Sequence, residues 1–392
     1  MRGWLERPEA RPGWALCGRR AVPVVFAALT LTSCGGATAP PTAQAGPACG
    51  AGSTRPTSPT PAAVTAGIAE YKAPGLIGIG ELAPGPDGNL WFTGTSDALQ
   101  EVVGRITPSG KFTLYRLGTG GGFDGITGGP DGNLWFTEST TAKIGRLVPS
   151  TGQIAEFAVP LPPTPASAPR RNTQARDIVV GADGAMWFDV QQVAGESVMP
   201  TGFVGRITTA GVVTLFAVPG GDQPIGIQAG ADGNLWSRIA VPYKSAPPCA
   251  LPGYTPTSKV VRTTPAGEVT EMDEGSPAFA GYVIGPDGNH WWMTSSGTLR
   301  RTTPSGHVTG LAALLNLGFW DAFHFVFGPD GNVWYVDGSS VLRLTPTGLT
   351  ARYHAPGPNS GATWVTRGAD GRLWFVEGAS GAATIGAIRP GG

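Results

Sequence analysis

The sequence predicts an all-β protein built from seven copies of one unit, on three observations. The 392 residues include 61 Gly and 37 Pro but only 14% charged residues, which favours short strands and tight turns over long helices. A segment of the form Gly-Pro/Ala-Asp-Gly-x-x-Trp occurs seven times. A second segment follows six of these copies, as in the stretch from Val103 to Tyr115, and it joins two β-branched runs through a turn.

The first segment is typical of two strands joined by a tight turn. Asp-Gly between apolar runs favours a hairpin turn, and the residues after it alternate as in a half-buried strand. The second segment adds two more strands. Four antiparallel strands repeated every 40 to 55 residues indicate the blade of a β-propeller. The seven turn aspartates that mark the blades are Asp87, Asp131, Asp183, Asp232, Asp287, Asp330 and Asp370.

Most of the repeated residues are expected to be structural. We expect the motif tryptophans to pack as wedges between blades, and the turn aspartates to satisfy backbone groups. An arginine at one position of the third strand recurs in six blades, and we expect it to be paired. These arginines are Arg105, Arg146, Arg206, Arg262, Arg301 and Arg343.

The ends of the chain predict how the ring closes. The last copy ends in a third strand around 385–388 and has no fourth, whereas the stretch 67–74 resembles the fourth-strand stretch 152–160. The N-terminal strand is therefore predicted to complete the seventh blade, which removes an exposed sheet edge.

The first 33 residues predict an export signal. Arg19 and Arg20 precede an apolar run, and Leu-Thr-Ser-Cys then resembles a lipobox in which Cys34 is the lipidated residue of the mature protein. An ordinary signal peptide with an incidental cysteine is the alternative. The run is too short for a span of about 20 residues. The prediction is a bacterial lipoprotein exposed on the extracytoplasmic side and held at the membrane by its lipid alone.

Residues 34–63 predict a disordered tether, and residues 64–392 the propeller. The tether is almost entirely Ala, Gly, Pro, Ser and Thr, which cannot bury enough apolar surface to fold. Cys49 and Cys249 could form a disulfide in an oxidising compartment, and two free thiols are the alternative. The balanced charge, with 27 basic and 27 acidic residues, argues against nucleic acid as a partner. A monomer is expected.

The long insertions predict one decorated face. In a propeller, the connections between the second and third strands share a face with those that lead to the next blade, and here these hold every long loop. The alternative is that these loops merely vary. A binding surface on this face would present Arg176, Tyr243, Trp320 and Trp364 to a small molecule, peptide or glycan.

The repeat resembles that of the streptogramin B (virginiamycin B) lyases. Examples of the similar runs are GPDGNLWFTE from Gly129 and VGRITPSG from Val103. The resemblance implies a seven-bladed propeller that opens a cyclic depsipeptide by elimination, which is carbon–oxygen lyase chemistry. It also implies a histidine base and a Mg²⁺ ion bound through glutamates in the last two blades. Such a metal would polarise the ester carbonyl while the imidazole removes the adjacent proton.

This chain departs from that pattern. The family's Glu-Pro-His-Gly-Ile run corresponds to residues 361–365, which contain neither Glu nor His. His324 is displaced by one residue from the family's other histidine, which would turn its side chain to the opposite face unless a bulge intervenes. Glu377 matches a family glutamate, and Asp337 and Glu138 occupy the same position in other blades. Glu377 and His324 are therefore the candidate catalytic residues, and Glu377 is the candidate metal ligand. Asp337 and Glu138 are candidate ligand-binding residues.

Three hypotheses follow. The preferred one is a propeller that binds a ligand or partner at the decorated face without family-type catalysis, and it requires no cofactor. The second is a Mg²⁺-dependent lyase that acts on streptogramin B-type esters. The third is a structural envelope protein that has no ligand.

Overall fold

A computed structural model of the chain describes residues 63–64, 67–118, 121–161, 172–193, 201–239, 259–273, 279–294, 298–303, 307–313, 324–345, 348–354, 361–378 and 383–390. These residues form seven antiparallel four-stranded sheets arranged as a ring, with one 3₁₀ turn at Pro219–Gly221. No described helix has the length and hydropathy of a membrane span. The predicted all-β, seven-bladed propeller is confirmed.

Each blade runs from an inner strand at the axis to an outer strand at the rim. In blades one to three the strands are Leu76–Pro84 (β3), Leu90–Ser96 (β4), Glu101–Ile106 (β5), Phe112–Arg116 (β6); Phe123–Gly128 (β7), Leu134–Glu138 (β8), Lys143–Leu147 (β9), Ile154–Ala158 (β10); and Asn172–Val180 (β11), Met186–Val193 (β12), Thr201–Ile207 (β13), Val213–Ala217 (β14). In blades four and five they are Pro224–Ala229 (β15), Leu235–Ile239 (β16), Lys259–Thr263 (β17), Val269–Asp273 (β18); and Phe279–Ile284 (β19), His290–Thr294 (β20), Thr298–Thr302 (β21), Val308–Ala313 (β22). In blade six they are Phe325–Phe327 (β23), Val333–Val336 (β24), Ser340–Thr345 (β25) and Gly348–His354 (β26).

The N-terminal strand closes the ring as the sequence predicts. Blade seven consists of Gly361–Arg367 (β27), Leu373–Gly378 (β28), Thr384–Ile388 (β29) and the N-terminal strand Ile68–Lys72 (β2). β2 pairs antiparallel with β29, with Ile68 opposite Ile388. One strand was not predicted: Ala63–Val64 (β1) pairs parallel with β26 and gives blade six a fifth strand.

The motif tryptophans form the wedges between blades. All seven are buried, with Trp291 the most exposed at 8%. Trp374 of blade seven, for example, lies in one apolar cluster with Leu82 and Phe92 of blade one. In every blade the indole Nε1 donates to Oδ1 of the turn aspartate, at distances such as 2.9 Å from Trp91 to Asp87. The turn aspartate therefore fixes the wedge as well as the turn.

Blade seven lacks the arginine of the third strand, and an arginine from its turn contacts the motif tryptophan instead. Its third strand has Ala387 opposite Trp374, where other blades have arginine. Arg372 instead places its guanidinium 4.2 Å above the Trp374 ring and pairs with Asp370 at 2.7 Å. Arg372 also donates to the hydroxyl of Tyr71 on β2 at 3.0 Å, so this side chain helps to hold the closing strand.

Candidate functional site

The inner strands carry β-bulges that turn side chains away from the regular alternation. Pairing shifts between Ile79 and Leu82 in β3, and around the corresponding points of β7 and β11. A bulge leaves its extra residues unpaired and changes their direction. The residues left in these three bulges include Glu81, Asp124 and Asp177, which we name the axial acidic cluster.

The axial acidic cluster brings together carboxylates from three blades. One oxygen of each side chain lies within 4.8 Å of the others. Burial and then the charges of Asp177 and Asp124 raise the pKa of Glu81 well above its ordinary value. Burial and the charge of Asp177 raise the pKa of Asp124 to about 6. The three side chains keep part of their surface in contact with solvent, so both protons and ligands can reach them.

A second layer supports the cluster from blades three and four. Asp177 accepts a hydrogen bond from the Gly226 amide at 3.0 Å, and burial raises the pKa of Asp177. Asp189 is fully buried and accepts from the Ser237 hydroxyl at 2.7 Å. Burial and then the charge of Asp177 raise the pKa of Asp189 well above its ordinary value. Burial lowers the pKa of Arg238, opposed by the charges of Asp177 and Asp189.

Arg176, a predicted ligand-binding residue, belongs to this centre. Its guanidinium lies 3.4 Å from an Asp124 carboxylate oxygen and also donates to Gln174 at 3.1 Å. The structure therefore places Arg176 against the axial acidic cluster. In this position it offsets part of the negative charge and fixes the Asp124 side chain.

His324 and Trp364, which the sequence singled out separately, lie against one another. Their rings stack with centroids 3.6 Å apart and an interplanar angle of 21°. Burial lowers the pKa of His324 to about 4, opposed by a hydrogen bond with the backbone of Val365. The Trp364 indole donates to the carbonyl of Leu82 at 3.2 Å, next to Glu81. The stacked pair thus extends toward the axial acidic cluster from blades six and seven.

Glu377 has a different environment. Its side chain is 4% exposed, and one carboxylate oxygen has no hydrogen-bond partner. Burial, the charge of Glu70 and a hydrogen bond with Glu70 raise the pKa of Glu377 to about 7. The partner of Glu377 is therefore a carboxyl group of the closing strand β2, whereas the contacts of His324 are with Trp364 and Val365.

Asp337 and Glu138 are engaged in local structure. Asp337 pairs with Arg352 at 2.6 Å and accepts from the Ser340 amide at 2.8 Å, which closes the turn between β24 and β25. Glu138 is fully buried and accepts from the Thr141 hydroxyl at 2.9 Å. Burial raises the pKa of Glu138, although the Thr141 bond opposes the change. Of the other predicted groups, Trp320, Tyr243, Cys34, Cys49 and Cys249 lie outside the described residues.

The axial acidic cluster was missed by the sequence reasoning, although a signal was present. Glu81 and Asp177 stand six residues before their turn aspartates, and Asp124 stands seven before its own. Glu81 is the second residue of the bulge in β3, whereas Asp124 is the first residue of the equivalent bulge in β7, so a search for one fixed position does not align the three.

Among the described residues, the axial acidic cluster is also the set best suited to a metal ion. Carboxylate oxygens are the donors that Mg²⁺ and Ca²⁺ prefer. The family's magnesium ion does not fit the last two blades of this chain. Of the ligand positions that the resemblance implies there, Glu377 alone supplies a glutamate, and its described partner is the carboxyl group of Glu70.

Residues 63–240 match the Virginiamycin B lyase family. No curated protein matches the chain. A streptogramin B lyase structure covers 82% of this chain and 97% of its own, with a TM-score of 0.63 and 20% identity. A catalytically inactive virginiamycin B lyase from Staphylococcus aureus with quinupristin covers 82% and 99%, with a TM-score of 0.64 and 22% identity. YCF48 bound to D1 peptide covers 84% and 99%, with a TM-score of 0.56 and 12% identity.

The resemblance to streptogramin B lyases is thus confirmed, and its distribution along the chain is informative. The family match spans blades one to three and the first two strands of blade four, and it ends before the two blades in which the resemblance places the catalytic groups. The fold is shared with a lyase and with a peptide-bound protein, so function must be argued from the side chains of the site.

Proposed function

We propose that this propeller, whose residues 63–240 match the Virginiamycin B lyase family, binds a cationic small molecule at the axial acidic cluster and does not catalyse the family's elimination. Cys34 would hold it at the membrane on the extracytoplasmic side. This location rests on the lipobox and the tether composition.

The observation that carries the proposal is the excess of negative charge at the axis. Crowded, partly desolvated carboxylates have raised pKa values because each disfavours ionisation of the next. A bound cation would relieve that repulsion and displace protons from the cluster. Two guanidinium groups, those of Arg176 and Arg238, lie among four carboxyl groups. When all are ionised, two negative charges are therefore left uncompensated. The carboxyl groups are those of Glu81, Asp124, Asp177 and Asp189.

The environment of the candidate base argues against elimination. A general base is most effective when its pKa lies near the working pH, and the pKa of His324 is lowered to about 4. One face of the imidazole is also covered by Trp364. Glu377 shares a hydrogen bond with Glu70 rather than with a base. His324 is therefore poorly suited to remove the proton that the family's elimination requires.

The binding proposal is tested by titrating the purified protein with benzylamine, a protonated amine at neutral pH, and with uncharged benzyl alcohol. We expect benzylamine to bind with proton release and Asp124→Asn to weaken binding by about tenfold, the effect of one lost charge interaction. Binding should also weaken as the pH falls through about 6, where Asp124 becomes protonated. Asp97→Asn, which removes an exposed carboxylate from the same face, is the matched control.

Equal binding of the alcohol, or unchanged affinity in Asp124→Asn, would contradict the proposal, and the absence of any ligand binding would favour a structural envelope role. A separate incubation with a type B streptogramin and Mg²⁺, followed by mass spectrometry, tests the lyase alternative. We expect no linear product. A product that disappears in Glu377→Ala would establish the lyase function instead.

A further inference from the structure

A cleft of about 250 Å³ lies between blades one and two, beside the axial acidic cluster. Its walls include Gly78 and Gly80 of β3, Gly94 of β4, and Phe123 of β7. Gly80 immediately precedes Glu81 in the chain, and Phe123 immediately precedes Asp124. The cleft and two of the three carboxylates of the axial acidic cluster therefore share the bulged strands β3 and β7.

The cleft exists because blade one lacks side chains that other blades have. Gly94 stands seven residues after its turn aspartate, where blade two has the buried Glu138. Gly78 stands nine residues before Asp87, the turn aspartate of blade one, and at this position blades three and four have Gln174 and Gln223. A Cβ atom added at Gly78 would meet no atom within 4 Å, so the missing side chain leaves open space.

The walls present one negative group and one aromatic ring in fixed positions. The Glu101 carboxylate lines the cleft and accepts hydrogen bonds from the amides of Gly121, at 2.6 Å, and Gly122. The Phe123 ring packs edge-on against Phe136, with centroids 5.5 Å apart. These contacts hold both side chains in place before a ligand binds, which lowers the entropic cost of binding.

We propose that this cleft is the subsite that holds the body of the cationic ligand, and that the ligand is a compact primary amine with a single ring. The inference rests on the proposed function, because the amine must reach the carboxylates of Glu101 and the axial acidic cluster while its ring packs against Phe123. Drug-sized ligands fill pockets of about 300–1,000 Å³, so the smaller volume of this cleft limits the ligand to roughly one ring.

Two sources could supply such an amine, namely an amino sugar and the N-terminal residue of a peptide. Glucosamine and phenylalanine amide represent them, and glucose and the N-acetylated phenylalanine amide are the uncharged counterparts. Phe123 and Ile79 favour the aromatic compound, whereas the hydroxyl groups of Thr93 and Thr95 would favour the sugar. The ratio of the two affinities in the wild-type protein identifies the source.

The test is Gly78→Trp, whose side chain would occupy the cleft without meeting a protein atom at Cβ. We expect it to weaken binding of the preferred amine by about tenfold or more. Val212→Trp, at a 61% exposed residue of a turn on the opposite face, is the control and should bind as the wild type does. Circular dichroism and the urea midpoint of each variant report whether the fold is retained, and Gly78→Leu replaces Gly78→Trp if it is not.

The outcomes separate this inference from the proposed function. If Asp124→Asn loses the amine and Gly78→Trp keeps it, the cleft is not the subsite and the axial proposal stands. If Gly78→Trp loses the amine and Asp124→Asn keeps it, the cleft binds the ligand without the axial acidic cluster. If neither amine binds the wild-type protein, both are refuted.

Discussion

The carboxyl pair Glu377 and Glu70 should make the stability of the ring depend on pH. Glu377 lies on β28 opposite Thr384, and Glu70 lies on the closing strand β2 opposite Gly386. Burial and the neighbouring carboxyl group raise the pKa of Glu377 from 4.5 to about 7. The folded protein thus holds this proton more tightly than the unfolded chain does.

The sign and size follow from linkage. A raised carboxyl pKa makes the free energy of unfolding fall as the pH rises from the unfolded value to the folded one. Raising the pKa of Glu377 from 4.5 to about 7 corresponds to about 3 kcal/mol of folding free energy. The stabilisation is complete below about pH 4.5 and lost above about pH 7. Glu377→Gln keeps the hydrogen-bonding shape and should abolish this component.

Blade two suggests the compensating change. There Lys143 occupies the position of Thr384, opposite Glu138, and its ammonium group lies 2.5 Å from Glu156. Thr384→Lys should place a positive charge between Glu377 and Glu70 and flatten the pH dependence. Thr384→Gln, which is long but neutral, is the matched control and should not.

The assay is urea unfolding followed by tryptophan fluorescence at about pH 5 and pH 8, in the presence of EDTA. Other carboxyl groups also have raised pKa values and contribute to the pH dependence. The change in the free energy of unfolding between the two pH values is therefore measured for the wild type and for the variant, and the two changes are compared. We expect Glu377→Gln to reduce the loss of stability between them by about 2.5 kcal/mol, which is most of the full effect. An identical loss in wild type and Glu377→Gln would refute the reasoning.

Three further predictions concern folding and location. A Cβ atom at Gly145 would overlap the Phe136 ring, so Gly145→Ala should lower the free energy of unfolding by about 2 kcal/mol. Gly78→Ala, which meets no atom, should not lower it. Denaturant titration of both variants checks this, and adding Phe136→Leu to Gly145→Ala should restore part of the lost stability. The Tyr71 ring stacks on Trp374 with centroids 5.4 Å apart, and its hydroxyl accepts a hydrogen bond from Arg372. Tyr71→Ala should therefore lower the free energy of unfolding by about 2 kcal/mol and speed amide exchange in β2. Unchanged exchange in β2 would argue against Tyr71 as an anchor of the closing strand. Cys34→Ser should release the protein from the membrane fraction, and continued partition into detergent would contradict lipidation at this residue.

The sequence by itself determined the blade, the number of blades and the closure of the ring. These features repeat, and each repeat carries its own turn, wedge and alternation, so local physics and periodicity are sufficient. The pairing of Ile68 with Ile388 could be predicted because the missing outer strand of the last blade is visible as a surplus strand at the N-terminus.

The tertiary structure decided what meets at the axis. The carboxylates of Glu81, Asp124 and Asp177 come from three blades and from β-bulges, so neither their proximity nor their raised pKa values could be obtained from strand alternation. The stacking of His324 on Trp364 likewise joins two blades. Local sequence specifies each strand, but a bulge depends on how a strand meets its neighbours, and contacts between blades exist only once the ring has closed.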